Sequence, residues 1–510
     1  MSSAGAIVSF ADVRGRMRVE DAADVVVIGT GVAGATAARV LTEAGLDVVM
    51  VEEGPYVSTE ELCHDAWSAF RQLWRDAGLQ VASGRAFLPV LQGRAVGGTT
   101  VINGAIIHRL PERVHEQWRQ EGWIDETLSW DALERISDVM DRELSVAPTS
   151  DDVFGGNNAL MERGLRGIGA EGQRIRRNVD RCLGSAHCSQ GCPQGRKQSM
   201  LVSYVPRAVQ RGARVYAESV AETLIVEHGR AAGVVARFRS ADGRAVGPEL
   251  AVHARRAVIV AASAIQTPIF LARNGVGRAS GLVGRRLQAH PATSVMGVFD
   301  DPVGMWHGAT QGYETTQFWD ERQKYEAVSV PLEIAAARLP GLGTTFTVRA
   351  EELGHVAQWG VQVRATAHGR VRRTIFGGTS IAYDLRDEDV RRYKTGVRRL
   401  VEMMFAAGAR AVYPGVYGLP ERIESVDAIR TIDALPDDPR RFHLIAAHFF
   451  GTAVMNPDAR RGVVNARGES HEVPRLFVAD SSVFPTNLGV NPQHAIGAVA
   501  WRFAEKIAGD

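Results

Sequence analysis

A glycine-rich turn between an apolar strand and an alanine-rich helix limits the folds open to this chain more than any other feature. Residues 24–29 read Asp-Val-Val-Val-Ile-Gly, and residues 29–34 continue as Gly-Thr-Gly-Val-Ala-Gly. A helical stretch over 35–44 follows, and a second apolar strand over 46–51 leads to Glu52. Continuous apolar strands of this kind are typical of parallel sheets that are buried on both faces. The order of strand, turn, helix and strand predicts a βαβ unit in an α/β fold.

The glycines of this turn and the acid after the second strand fit the binding of a dinucleotide. Gly29 permits the tight turn, Gly31 lets the backbone approach a pyrophosphate, and Gly34 lets helix and strand pack closely. The amino terminus of the helix offers free N–H groups and a favourable dipole to the phosphates. Glu52 is expected to accept hydrogen bonds from the ribose hydroxyls of the adenosine. These features alone do not distinguish FAD from a nicotinamide dinucleotide.

A second glycine-rich segment indicates which dinucleotide is bound. Residues 93–104 read Gly-Arg-Ala-Val-Gly-Gly-Thr-Thr-Val-Ile-Asn-Gly. This segment resembles the flavin loop of the glucose–methanol–choline (GMC) oxidoreductases, which reads Gly-Gly-Ser-Ser and ends near an Asn. The resemblance implies FAD as the cofactor, bound without a covalent tether because the segment contains no His. The flavin-binding positions that it assigns are Arg94, Gly98, Thr99, Thr100 and Asn103.

Further segments match the family in the same order, up to about residue 507. They are the strand and small-residue turn over 257–268, Gly284-Arg285 with His290-Pro291, the run His-Phe-Phe-Gly-Thr-Ala-Val-Met over 448–455, the strand over 476–482 that contains Asp480, and Gly489-Val490-Asn491-Pro492. The resemblance places the backbone of Val220 against the adenine and Asp480 beside the flavin ring. It implies an α/β fold in which a Rossmann-type FAD-binding domain carries an inserted α+β substrate-binding (cap) domain built on an antiparallel sheet.

The implied domain division is discontinuous. The FAD-binding domain is expected to comprise residues 18–115, 195–300 and 440–510, and the cap domain residues 116–194 and 301–439. A chain of 510 residues is long enough for two such domains.

Two residues near the end of the chain are the candidates for the chemistry. His448 stands at the family's His-x-x-Gly-Thr-x-x-Met position, which implies that it acts as general base while the hydride of the carbinol carbon goes to flavin N5. Asn491 cannot be a base, but its amide can hold the substrate oxygen. Asn491 as N-cap and Pro492 at the first helical position also suit the start of a helix over 493–507. The amino terminus of that helix would stabilise negative charge on a reduced flavin.

Three of the four cysteines lie within eleven residues, at Cys182, Cys188 and Cys192. Their spacing resembles the iron–sulfur segment of some flavin-dependent sugar dehydrogenases, which implies these residues as ligands of a three-iron cluster (3Fe-4S). The alternative is that Cys188 and Cys192 pack a tight loop near the flavin and that Cys182 is incidental. The segment around Cys192 is also similar to cholesterol-oxidase-like and long-chain-alcohol-oxidising members of the GMC family.

Aromatic and acidic residues of the expected cap suggest a substrate class. Aromatic rings stack on sugar faces and carboxylates pair with amines, so a sugar-like or aminoglycoside primary alcohol is the first expectation. The alternatives are a sterol or long-chain aliphatic alcohol, a redox-silent flavin-containing lyase, and a nicotinamide-dependent dehydrogenase. A separate alternative is that the aromatic residues form the cap's own core and the acids are solvated. The residues concerned are Trp306, His307, Tyr313, Phe318, Trp319, Tyr325 and Trp359, with Glu314, Glu333 and Asp384.

The charge balance and the apolar runs exclude other classes of function. The net charge of +1 gives no reason to expect nucleic acid or an anionic membrane as a partner. No apolar run reaches the roughly 20 residues that span a bilayer, and no secretory leader is visible, so a cytoplasmic protein is expected. The expected partners are a small-molecule alcohol and either oxygen or another electron acceptor. The chain has four lysines, at positions 197, 324, 394 and 506, and a GC-rich genome accounts for this bias toward arginine.

Overall fold

The computed structural model describes residues 5–509 of the chain. The strands in this range are β1 (Ala6–Val8), β2 (Arg18–Ile28), β3 (Val48–Val51), β4 (Val81–Ala82), β5 (Leu88–Pro89), β6 (Val146–Pro148), β7 (Gln173–Arg174), β8 (Arg176–Asn178), β9 (Arg214–Tyr216), β10 (Ser219–Glu227), β11 (Arg230–Arg239), β12 (Val246–Val260), β13 (Gln288–Val298), β14 (Tyr313–Thr315), β15 (Gln323–Ala327), β16 (Val356–Val363), β17 (Arg370–Arg373), β18 (Thr379–Ala382), β19 (Ala411–Tyr413), β20 (Ile445–Phe450) and β21 (Leu476–Val478). The α-helices are α1 (Phe10–Val13), α2 (Val32–Glu43), α3 (Ala66–Leu73), α4 (Glu112–Gln120), α5 (Trp130–Glu143), α6 (Gly155–Gly167), α7 (Tyr204–Gln210), α8 (Ser263–Arg273), α9 (Leu332–Ala337), α10 (Thr344–Glu351), α11 (Asp387–Ala406) and α12 (Gln493–Gly509).

The first sheet is built around the predicted βαβ unit and is parallel at its centre. Its strand order is β1–β9–β3–β2–β12–β11–β10, and β21 pairs with the carboxyl-terminal part of β12. The pairings from β1 to β12 and that of β21 are parallel, whereas β11 and β10 extend the sheet in antiparallel fashion. Val25, Val26 and Val27 of β2 have no exposed surface, as expected for a strand that is buried on both faces.

The second sheet is antiparallel throughout, which confirms the expected cap. Its strand order is β19–β13–β16–β15–β14–β7, and β20 pairs with β13. Helices α6 and α11 pack against this sheet. The fold therefore combines a Rossmann-type sheet with an α+β region, as the sequence predicts.

Strands β13 and β20 connect the two regions of the molecule. Both fall in segments that the sequence assigns to the FAD-binding domain (195–300 and 440–510), yet they hydrogen-bond to each other within the second sheet. The division of the chain into domains stays a prediction. Because β13 carries His290 and β20 carries His448, the junction of the two sheets is the place to look for a site.

Helix α2 begins at Val32, three residues before its predicted start at residue 35. Gly31 is the N-cap residue, so the last glycine of the turn lies inside the first helical turn. A Cβ atom on Gly34 would lie 1.9 Å from the carbonyl oxygen of Gly29. Helix and strand therefore approach each other as closely as the sequence predicts.

Candidate active site

A cavity of about 930 Å³ runs between the two sheets. It is bordered by the carboxyl ends of β2, β3 and β12 on one side and by β13, β16 and β20 on the other. Its volume lies near the upper end of the range for small-molecule and cofactor sites. The sequence-predicted residues that line it are Gly29, Gly31, Glu52, Gly98, Thr99, Thr100, Asn103, Cys188, Val220, His448, Asp480, Asn491 and Pro492.

Two buried carboxylates hold the backbone at the strand ends beside the cavity. Glu52 accepts hydrogen bonds from the Thr30 backbone N–H (2.9 Å), the Thr30 hydroxyl (2.7 Å) and the Gly54 N–H (2.8 Å). A carboxylate has about four acceptor sites, so one remains for a ligand hydroxyl. Asp480 likewise accepts two backbone N–H groups and one hydroxyl. Burial raises the pKa of both carboxyls.

The hydroxyl groups of the second glycine-rich loop are used largely within the chain. The Thr100 hydroxyl donates to the Gly97 carbonyl (2.6 Å) and accepts the Met200 N–H (2.9 Å). The Thr99 hydroxyl accepts the Gly93 N–H at 3.0 Å. Because Thr100 is engaged both as donor and as acceptor, it shapes the loop, and Thr99 is the residue with a hydroxyl hydrogen left to donate.

Asn103 and Arg94 differ in their relation to the cavity. The Asn103 side chain accepts the Ala105 N–H at 3.1 Å and donates to Gln493 of helix α12, so it ties the loop to that helix. Arg94 was assigned to the cofactor, but it does not line the cavity. Its guanidinium lies 3.3 Å from the carboxylate of Glu53, which neutralises it.

The hydrogen bonds around His448 assign a tautomer to its ring. The Gly489 N–H donates to His290 Nε2 (2.9 Å), so neutral His290 carries its hydrogen on Nδ1. That Nδ1 lies 3.3 Å from Nδ1 of His448, which must then accept and carry its own hydrogen on Nε2. Burial, together with Lys324 and His108, lowers the pKa of His448 to about 3. The His448 ring is therefore neutral and presents an N–H from Nε2.

Asn491 is oriented by a buried ion cluster. The Lys324 ammonium donates to Asn491 Oδ1 at 2.7 Å. Lysine has only donors, so the amide oxygen must face it and the amide nitrogen is left to donate elsewhere. Lys324 is fully buried and lies 2.8 Å from Glu314 and 2.6 Å from Glu326, while His108 lies 3.0 Å from Glu314. Burial would lower the pKa of Lys324, but the two carboxylates outweigh it and the net shift is upward.

Helix α12 begins at Gln493, as the sequence predicts. The Ile496 N–H donates to the Pro492 carbonyl. The Asn491 side-chain oxygen accepts a hydrogen bond from Lys324 and is therefore not used as a helix cap. The helix amino terminus still opens on the cavity, which Pro492 and Gln493 line.

Comparison with known proteins identifies the family. The GMC oxidoreductase family models match residues 23–292 and 376–500, which together cover most of the chain. The chain belongs to the GMC oxidoreductase family. It is 35% identical over 495 residues to the uncharacterised GMC-type oxidoreductase Rv0492c of Mycobacterium tuberculosis strain H37Rv, covering 95% of this chain and 75% of the relative.

Two further proteins are similar over nearly the whole chain. The long-chain-alcohol oxidase FAO4A of Arabidopsis thaliana is 27% identical over 510 residues, covering 94% of this chain and 67% of the relative. A variant of the formate oxidase of Aspergillus oryzae RIB40 superposes with a TM-score of 0.72 at 17% identity, covering 96% of this chain and 99% of that chain. At this identity the solved structure supports the fold alone.

As a GMC oxidoreductase the protein is an FAD enzyme that acts on CH–OH donors, and Gly31 tests the fit of FAD to this chain. A Cβ atom at Gly31 would meet nothing within 4 Å, although the residue lines the cavity at the amino terminus of α2. This open space against free N–H groups suits a pyrophosphate. The residues present therefore fit FAD, with the glycine turn and Glu52 at its adenosine diphosphate part.

Replacement of Gly31 by valine is expected to remove FAD without unfolding the protein. The residue has a φ of −62°, which valine can adopt, and the new side chain would occupy the open space. We expect FAD affinity to fall more than about tenfold, or ~1.4 kcal/mol. Flavin absorbance per chain and circular dichroism of the apoprotein measure the two effects.

Gly34→Ala is the matched control for this experiment. Its Cβ would clash with the Gly29 carbonyl at 1.9 Å, so it should destabilise both the apoprotein and the holoprotein. Normal FAD content in Gly31→Val would exclude the proposed phosphate position.

The three clustered cysteines of this GMC oxidoreductase do not fit an iron–sulfur cluster. Arg177 Nη2 donates to Cys188 Sγ (3.1 Å), Arg177 Nη1 contacts Cys182 Sγ (3.9 Å), and the Lys197 N–H donates to Cys192 Sγ (3.4 Å). Within residues 5–509, no group of three or more His, Cys, Asp or Glu side chains is arranged to hold a metal ion. The buried Arg177 guanidinium lies against two of the sulfurs, an environment that suits a hydrogen-bonded thiol rather than a ligand of iron. The expectation of Cys182, Cys188 and Cys192 as cluster ligands is therefore corrected to a packing role.

The aromatic and acidic cap residues from which a sugar-like substrate was predicted do not line the cavity. Trp359 and Tyr325 have no exposed surface and belong to the core of the second sheet. Glu314 forms a buried ion pair with Lys324, and Asp384 forms an ion pair with Arg85 at the surface. In the described part of the chain, none of the seven cap aromatic and His residues or the three acids named from the sequence lines the cavity. The alternative, that the aromatic residues form the cap's own core, describes them better.

The roles of three residues at the site were not predicted from the sequence. Lys324 and Glu326 were not singled out, and His290 was noted only as a family landmark. The one available signal was the scarcity of lysine, since Lys197, Lys324 and Lys394 are all buried. A lysine that is retained in a chain rich in arginine and then buried indicates a specific ionic role.

No helix within the described range 5–509 has the length and apolar character needed to cross a membrane.

Proposed function

We propose that this GMC oxidoreductase oxidises an alcohol to a carbonyl compound with its hydroxyl held by His448 and Asn491. The observation that carries the proposal is that these two residues line one cavity with the dinucleotide-binding residues. FAD, when bound, supplies the hydride acceptor. The amide nitrogen of Asn491, oriented by Lys324, donates to the hydroxyl oxygen. The amino terminus of α12 adds a favourable dipole for negative charge that develops beside it.

We further propose that His448 receives the hydroxyl proton as general base. Its low pKa keeps the ring neutral over the working range, as a base must be. The base form needs a lone pair at the nitrogen that faces the substrate, whereas the hydrogen bond from His290 favours a hydrogen on Nε2. His448 therefore acts as the base once the hydrogen bond from His290 opens and the neutral ring, by proton exchange with solvent, loses its hydrogen from Nε2 and gains one on Nδ1, which leaves the Nε2 lone pair for the hydroxyl proton. Until then its N–H supports Asn491 in holding the hydroxyl oxygen.

A long-chain aliphatic alcohol is the substrate class that the cavity supports best. The residues on which a sugar-like or aminoglycoside alcohol was expected do not line it. The apolar part of the lining away from the glycine turn comprises Val328, Val330, Pro331, Ile334, Val361, Ile445 and Phe449. The similarity to a long-chain-alcohol oxidase also supports an aliphatic alcohol as the substrate.

An anaerobic absorption experiment tests the proposed function. Purified protein is mixed with sterol, aliphatic, sugar and aminoglycoside alcohols, and the flavin band is followed. Bleaching by the aliphatic alcohols supports the proposal, and bleaching by another class alone would replace the substrate. A bound flavin that no alcohol in the panel reduces would favour the redox-silent lyase.

The rate of flavin reduction should not fall when the pH is lowered from about 8 to about 5. An ordinary histidine, with a pKa near 6.5, would be mostly protonated at about pH 5 and lost as a base. The pKa of His448 is lowered to about 3, so the neutral form persists throughout this interval. Stopped-flow flavin reduction across this pH range measures the effect. A rate that falls tenfold with an apparent pKa near 6.5 would contradict the burial of His448 in the working enzyme.

A further inference from the structure

Arg338 is a mostly buried cation in the cavity that no acid neutralises. It follows helix α9 and lines the cavity. Nη2 donates to the Ser294 carbonyl at 3.0 Å, while Nε is buried without a hydrogen-bond partner. Within residues 5–509 no carboxylate lies within ion-pair distance of it. A buried charge without a counter-charge is costly, so a ligand that supplies one is favoured at this point.

The other arginines that line the cavity differ from Arg338. Arg75 lies 2.8 Å from the Glu53 carboxylate, and Arg273 lies 3.5 Å from Glu222. Arg373 is exposed to solvent on β17. Arg338 is thus the arginine of the described cavity lining that combines burial with the lack of an acidic partner.

The surroundings of Arg338 carry no compensating negative charge. The pKa of neighbouring His443 is lowered by burial and by the Arg338 cation. Burial also lowers the pKa of Arg338 itself. Both shifts have the sign expected for a pocket that lacks an anion.

The position of Arg338 relative to the reacting groups follows from strand β13. His290, which contacts His448, and Ser294, which accepts from Arg338, are four residues apart on this strand. Both line the cavity. At 3.3–3.4 Å per residue, the backbones of His290 and Ser294 lie about 13 Å apart, so Arg338 contacts the strand well away from the His290–His448 pair.

We propose that Arg338 binds an anionic oxygen group, a carboxylate or a phosphate, at the far end of the alcohol substrate. The inference rests on the proposed function and narrows its substrate class to an alcohol that carries an anion at the end of its chain away from the hydroxyl. The planar guanidinium fork matches both kinds of anion and can bind either through two hydrogen bonds. The apolar lining between the two ends suits an aliphatic chain, as in an ω-hydroxy fatty acid.

The test compares alcohols of equal chain length with and without a terminal anion. The substrates are ω-hydroxy carboxylic acids of graded length, the matching alkanols, and the matching ω-hydroxyalkyl phosphates. We expect kcat/KM of the wild type to favour one anionic series by about 10- to 100-fold. Arg338→Gln should lose this preference while retaining its activity on the alkanols. The two anionic series distinguish a carboxylate from a phosphate.

Two matched variants and one binding measurement complete the design. Arg372→Gln removes an exposed arginine that does not line the cavity and should keep the preference. Arg373→Gln removes the exposed cavity arginine, and loss of the preference there but not in Arg338→Gln would overturn the assignment. Stabilisation of the holoenzyme against heat by a fatty carboxylate without a hydroxyl should occur in the wild type and not in Arg338→Gln.

Each result separates this inference from the proposed function. Flavin bleaching by neutral alkanols supports alcohol oxidation whatever Arg338 does. Equal kcat/KM for anionic and neutral alcohols in the wild type would overturn the role of Arg338 alone. If no alcohol reduces the flavin, the thermal measurement still decides whether Arg338 binds an anion. Since Arg338→Gln removes an unpaired buried charge, we expect it to fold with unchanged or higher thermal stability.

Discussion

Replacement of His448 by alanine is expected to lower kcat for alcohol oxidation by ~10²–10⁴-fold, the usual contribution of a positioned acid–base group. Bound FAD should remain, because the glycine turn, Glu52 and the loop over 93–104 are separate from this side chain. The variant removes the imidazole that is proposed to accept the hydroxyl proton. Rapid-reaction measurement of flavin reduction, with FAD content per chain as the control, gives the result. Near-normal turnover would remove His448 from the mechanism.

His448→Gln separates the base from the donor. Glutamine can donate a hydrogen bond to the substrate oxygen but cannot accept a proton at neutral pH. If His448 is the base, the Gln variant should be as slow as the Ala variant. Recovery of most of the rate in His448→Gln would instead show that the ring acts as a donor, as in the resting tautomer set by His290 and Gly489.

Replacement of Lys324 by methionine is expected to lower the free energy of unfolding by ~3–5 kcal/mol. The substitution leaves the carboxylates of Glu314 and Glu326 in the interior without their cation, since Glu314 is only 2% exposed. It also removes the ammonium that orients the Asn491 amide. Chemical denaturation measures the first effect, and the KM and kcat of alcohol oxidation measure the second.

Two further variants separate the effect of Lys324 on stability from its effect on the rate. Neutralising both acids as well, in Lys324→Met/Glu314→Gln/Glu326→Gln, should restore most of the stability but not the rate, because Asn491 stays unoriented. Lys506→Met on α12 changes a lysine outside the buried cluster and should alter stability by less than about 0.5 kcal/mol. A Lys324→Met protein as stable as the wild type would contradict the account of the ion cluster.

The sequence predicted the architecture well because its signals are local. The apolar runs, the glycine turn and the acid at Glu52 act within about thirty residues, where strand and helix periodicity and turn sterics decide the structure. The resemblance over the remaining motifs then supplied the family, the FAD site and the antiparallel cap. His448, Asn491 and most of the cofactor residues were found this way, and they do line one cavity.

Errors arose where a residue's role depends on a partner that is distant in sequence. The cysteine thiols are suited to bind iron, but Arg177 donates a hydrogen bond to Cys188 and contacts Cys182. Arg94 pairs with Glu53, and its contact with the flavin stays a prediction. The cap aromatic residues have a composition suited to sugar binding, yet none of them lines the cavity, and Tyr313, Tyr325 and Trp359 are buried in the core of the second sheet. Spacing alone does not show whether a polar or aromatic side chain points into a cavity or into a core.

By itself the sequence determined the βαβ unit, the family and the residues that can do chemistry. Only the tertiary structure decided the tautomer, the orientation and the charge state of those residues. His290 and His448 are 158 residues apart, and Lys324 and Asn491 are 167 residues apart. The pairing of β13 with β20 and the position of β15 bring each pair within hydrogen-bond distance. Tautomer, amide orientation and charge state depend on such contacts, because hydrogen bonds and desolvation act over a few ångströms of space and not along the chain.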